Sequence, residues 1–62
     1  MTLDERIQEL EELAREQETI GQRCGERGDH DLAAIARDLA ARARTRCRVL
    51  ERERRLLAAT GR

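Results

Sequence analysis

Aliphatic and small residues recur along this chain at intervals of three and four, with charged residues filling the gaps. Leu3, Ile7, Leu10, Leu13, Ala14, Gln17, Ile20, Gly21 and Cys24 fall within an arc of about 140° when successive residues are turned by about 100°. Asp4, Glu5, Glu11, Glu12, Arg15, Glu18 and Arg23 lie largely outside it. The pattern predicts an amphipathic helix over residues 3–24. Thr2-Leu3-Asp4-Glu5 has the form of a capping box, in which the threonine hydroxyl and the glutamate carboxylate satisfy orphan amide groups reciprocally. Asp4 and Glu5 also complement the positive end of the helix dipole. Gly25 and Gly28 are candidates for the left-handed residue that ends a helix, and Asp29 or Asp31 can cap the next, so residues 25–31 read as a turn. A second helix is expected over residues 32–59, closed by Thr60-Gly61. Leu32, Ile35, Ala36, Leu39, Ala40, Ala43, Cys47, Leu50 and Leu57 share one of its faces. That stripe is narrow and rich in alanine, which favours close approach of a neighbouring helix. Arg46 and Glu53 share the heptad position of Leu32 and Leu39 and are therefore expected at the seam, their stems snorkelling outward.

Charge sharpens this picture. Residues 1–36 hold ten acids against four arginines, and residues 37–62 hold nine arginines against three acids. An acidic helix folded back on a basic one neutralises both. A turn centred near residue 28 sets Arg42, Arg44, Arg46 and Arg48 alongside Glu9–Arg15, and Arg52 and Arg54 beside Leu3–Glu5. Exposed ion pairs contribute about 0–1 kcal/mol each, so they select an antiparallel register without holding the fold together.

With 62 residues and no aromatic side chain, the chain can build only a thin core. Two helices meeting along one seam leave apolar surface wet, and self-association is the expected remedy. The expected fold is all-α: an antiparallel two-helix hairpin that dimerises into a four-helix bundle of coiled-coil type. The self-association residues are Leu3, Ile7, Leu10, Leu13, Ile20, Leu32, Ile35, Leu39, Ala43, Cys47, Leu50 and Leu57. Cys24 and Cys47 stand roughly 22 Å apart in height on such a hairpin, at about 1.5 Å per residue, which excludes an intrachain disulfide. End-to-end pairing of two hairpins would bring each Cys24 level with Cys47 of the other chain, allowing interchain bridges. In a reduced compartment both cysteines read instead as small buried thiols.

The chemistry available is limited. Cys24, His30 and Cys47 are the candidate metal ligands, and they lack the paired spacing of a zinc site. His30 falls in the turn, six residues from Cys24 and separated from it by two glycines, so no nucleophile–base geometry is fixed. No cofactor, small-molecule substrate or enzymatic activity is expected. No apolar run suits a signal peptide or membrane span, which points to a cytoplasmic protein. The use of arginine alone for positive charge, with abundant alanine and leucine, points to GC-rich coding in a bacterium or phage.

Around the turn, Ile20-Gly21, Gly28-Asp29, Ala33 and Ala40 sit at the spacings of Leu-Gly, Gly-Asp and the two second-helix alanines of a tetratricopeptide repeat. Residues 12–46 resemble one such unit. The resemblance implies close helix packing at the Gly and Ala positions and, in arrays, a peptide-binding adaptor. Gln17, Cys24 and Arg37 stand where that family has aromatics, and about three repeats are normally needed to bury the faces. No functional residue follows from it.

The sequence thus reads as a small interaction or regulatory protein that forms a homodimer and binds another protein. Arg48, Arg52, Arg54 and Arg55 are the partner-binding candidates. The rival reading is a nucleic-acid-binding regulator using the same arginines, opposed by the zero net charge, the acidic first helix and the lack of aromatic stacking residues.

Overall fold

The computed structural model describes residues 1–61 and consists of two helices packed against each other, α1 (Leu3–Glu26) and α2 (His30–Thr60). They form a rod of 53 × 15 × 13 Å. The capping box starts α1: the Glu5 amide donates to Thr2 Oγ1 at 3.1 Å, and the Thr2 amide donates to Glu5 Oε1 at 3.1 Å.

The turn is shorter than the glycine spacing suggests. Gly25 remains helical, and only Gly28 takes the left-handed conformation, with φ of 81°. The amide of Asp29 donates to the Cys24 carbonyl at 2.8 Å and that of Gly28 to the Gly25 carbonyl at 3.0 Å, a Schellman closure that satisfies the last carbonyls of α1. Asp29 then occupies the N-cap of α2 without a side-chain cap bond. One left-handed residue suffices to reverse the chain, so each helix gains about half a turn over the sequence-based expectation.

The seam alternates three- and four-residue steps on both helices. On α1 it runs through half-buried Leu3, then Ile7, Leu10, Ala14, half-buried Gln17, Gly21 and Cys24; on α2 through Ala33, Ala36, Ala40, Ala43, Cys47 and Leu50. Arg54 meets Asp4 at 2.7 Å and Arg44 meets Glu18 at 2.6 Å, fixing the antiparallel register. The Cys47 thiol points to the Ile7 carbonyl at 3.6 Å.

This seam keeps Ala36, Ala40, Ala43, Cys47 and Leu50 of the expected α2 stripe, takes Ala33 in place of Leu32, and leaves the larger aliphatics of the stripe outside. Leu32, Ile35 and Leu39 are 51%, 57% and 43% exposed, and Arg46 and Glu53 also face solvent. A seam through Leu32 and Leu39 would carry Arg46 and Glu53 inside, at a desolvation cost that no partner offsets. Rotating α2 onto its alanines removes the charges and lets the backbones approach. A Cβ placed on Gly21 would lie 3.4 Å from the Ala33 carbonyl oxygen and 3.5 Å from Ala36 Cβ.

The two glycines therefore respond oppositely to alanine. Gly21→Ala makes ordinary van der Waals contacts and removes a helix-interior glycine, so it is expected to stabilise by up to about 1 kcal/mol. Gly28→Ala forces an L-residue to a left-handed φ and is expected to cost about 1–2 kcal/mol. Thermal denaturation of both variants followed by circular dichroism checks the signs.

Candidate interaction surface

Because the seam is a strict heptad, the positions flanking it divide the hairpin into two dissimilar sides. On one side Gly25 faces Arg37, Glu18 pairs with Arg44, and half-buried Glu11 and Glu51 line a shallow groove with Arg15, Arg44, Cys47 and Arg48. The hydrogen bond and charge of Arg44 hold the Glu18 carboxyl below its ordinary range, and the same pairing raises Arg44. This side is closed by ionic contacts.

The other side is apolar in its centre. Leu13 and Ile20 of α1 and Leu32 and Leu39 of α2 flank the seam on this side, Ile20 level with Leu39 and Leu13 with Arg46, and Ile35, Val49 and Leu56 lie farther out on α2. Their exposures run from 41% at Leu13 to 60% at Leu56. Around them stand Arg6, Glu9, Glu16 and Arg23 on α1 and Arg42, Arg46 and Glu53 on α2. Leu13 belongs to one shallow groove with Arg6, Glu9, Leu10, Glu12 and Glu16, and Val49 to another with Ala41, Arg42, Thr45 and Arg46.

The expected self-association residues therefore separate into two groups. Ile7, Leu10, Ala43, Cys47 and Leu50 are buried inside the hairpin, with Leu3 packed against them. Leu13, Ile20, Leu32, Ile35 and Leu39 form the apolar face, and Leu57, 60% exposed, lies beyond the start of α1. Val49 and Leu56 belong to the face as well. Sequence reasoning passed over them because it took the face and the seam for one stripe. The signal that could have found them is a seven-residue repeat from Ile35 through Val49 to Leu56, which Arg42 interrupts at its second position.

Among the partner-binding candidates, Arg54 is engaged by Asp4. Arg48 donates to Thr45 Oγ1 at 3.3 Å, and among the described residues Arg48, Arg52 and Arg55 have no carboxylate within ion-pair distance. Steps of four and three place these three along one edge of α2.

Cys24 and Cys47 are free thiols, 4% and 5% exposed, turned into the seam of their own chain. Burial, then the nearby carboxylates of Glu11 and Glu51, raise the Cys47 pKa and disfavour its thiolate. An interchain bridge from either cysteine would require the hairpin to open. Both thiols are expected to react slowly with a disulfide reagent in the folded protein and rapidly in denaturant, as a spectroscopic thiol assay measures. His30 begins α2 on the surface, and among the described residues no group of three His, Cys, Asp or Glu side chains is placed to hold a metal ion. No described helix is long and apolar enough to cross a membrane.

Comparison with protein families, curated proteins and solved structures returns no match. Of the positions that resemble a tetratricopeptide unit, Gly21, Ala33 and Ala40 lie in the seam and Gly28 takes the left-handed conformation at the reversal, whereas Ile20 is 45% exposed.

Proposed function

We propose that this protein is a small helical interaction module that forms a homodimer, as a four-helix bundle, and presents a row of arginines to an acidic segment of another protein. The observation that carries the reading is the apolar face. Leu13, Ile20, Leu32, Ile35 and Leu39 are all more than 40% exposed and lie together on one side of the hairpin. Large aliphatics collected on one side of a rod, rather than scattered singly around it, support an interaction site. Size-exclusion chromatography with light scattering, over a dilution series with and without reductant, tests the assembly. A dimer of twice 7.1 kDa in both conditions supports it; a monomer at every concentration refutes it.

Arg48, Arg52 and Arg55, free of carboxylate partners among the described residues, support an anionic target. Their reversal to glutamate is expected to abolish partner capture while leaving the dimer intact. Binding to nucleic acid instead would appear as a gel shift that weakens steeply with salt.

A further inference from the structure

We infer that the two copies associate with their turns at the same end of the bundle, so that α2 of each chain lies across α1 of the other. This rests on the self-association reading and adds the arrangement of the copies. The face can pair with itself about a twofold axis in two ways. With the axis along the helices, α2 stacks on the partner's α1. With the axis across them, α2 stacks on the partner's α2, and α1 on the partner's α1.

Charge separates these two arrangements. α1 holds eight carboxylates and three arginines, whereas α2 holds eight arginines and four carboxylates. Stacking unlike helices sets a net negative helix on a net positive one; because the α1 charges bordering the face, Arg6, Glu9, Glu16 and Arg23, balance, the individual positions decide between the arrangements.

The individual positions favour stacking of unlike helices. When the axis runs along the helices, each residue stays at its own height, and the intrachain register therefore sets the new neighbours. Leu39 then lies opposite the partner's Ile20, Arg42 opposite the partner's Glu16, and Glu53 opposite the partner's Arg6. Leu56 reaches the partner's Met1, another exposed apolar residue. Glu16, Arg46 and Glu53 have no ion pair among the described residues, while Arg6 and Glu9 pair with each other at 2.7 Å and would be shared with the second chain. Among the described residues Arg42 pairs with Asp38 of its own helix alone, and its side chain is 76% exposed. Arg46 falls between Leu13 and Glu9 of the partner, where its stem covers the leucine and its head reaches the carboxylate. The charges that interrupt the apolar stripe of α2 thus meet complementary charges on the partner's α1.

The test is a distance between labels at the turn. In a Cys24→Ala/Cys47→Ala background, whose seam is already largely alanine, a nitroxide is attached at His30→Cys and the interchain separation is read by pulsed electron resonance. Turns at one end give a separation within about 30 Å, set by helix spacings of about 8–10 Å plus the label arms. Turns at opposite ends of hairpins that overlap along their full length, from Leu32 to Leu56, give a separation near the 53 Å length of the rod. A dimer with the long distance overturns this arrangement and leaves self-association standing; a chain that stays monomeric overturns both. On the chain with native cysteines, Arg42→Glu and Glu16→Arg should each weaken dimerisation roughly tenfold, since a twofold dimer repeats the pair, and combining them should restore it. Equal weakening in the combined variant would overturn the pairing.

Discussion

Substituting alanine for Leu10 is expected to remove about half of the stability of the chain. Leu10 is 6% exposed, in a cluster whose other members are Ile7, Ala14, Ala43, Cys47 and Leu50. Only three of these six are large aliphatics, so each carries an unusual share of the core. Truncating a buried leucine costs about 2–5 kcal/mol. A chain of 62 residues has about 3–9 kcal/mol in total at the usual scale per residue. The alanines around the site have no longer side chains with which to fill the void. Urea denaturation followed by helical circular dichroism should show the midpoint fall by about half; an unchanged midpoint would remove Leu10 from the core.

Neighbouring positions 39 and 40 are expected to respond in opposite ways to a change of bulk. Ala40 is 3% exposed in the seam, between the two helices, so Ala40→Leu must push α1 away along much of its length. Overpacking costs about 1–3 kcal/mol, and more where two long helices share one rigid seam. Leu39 is 43% exposed, and Leu39→Ala removes bulk only from the outer face. Measured at a dilution where the chain is monomeric, that variant should lie within about 1 kcal/mol of the parent, because the outer face contributes little to the isolated hairpin. The same denaturation experiment, run on both variants, gives the comparison. Equal losses would mean that the two positions share one packing environment.

Much of this architecture was legible in the sequence because it rests on local chemistry. Thr2 and Glu5 specify the start of α1 by hydrogen bonds within four residues, and the alternation of acidic and basic segments specifies antiparallel pairing. The rotation of α2 was less legible. Leu32, Ile35 and Leu39 have the size of core residues, and burial of apolar area alone favours them over alanine. Their claim fails farther along the helix, where continuing the same stripe brings in Arg46 and Glu53. The alanine stripe continues without a charge to Leu50.

The candidate surface was legible in part for the same reason. Leu13 and Ile20 stand beside the seam positions Ala14 and Gly21, and an arc wide enough to hold the seam holds them too. Separating the two stripes requires the α2 frame, which only the packed pair of helices supplies. The arginines were easier to find than to rank. Arg54 and Arg48 differ by whether a carboxylate on α1 lies within reach, which depends on register and side-chain direction rather than on residue type.

The central claim is that the hairpin closes on its small-residue seam and keeps Leu39 and its neighbours for a second chain. Sedimentation equilibrium of the parent protein and of Leu39→Asp, with circular dichroism on the same samples, tests it most directly. The parent should sediment as a dimer of twice 7.1 kDa, and the variant as a monomer with its helical signal retained. Loss of helix in the variant at concentrations where the parent is monomeric and folded would place Leu39 in the core of the hairpin and contradict the account.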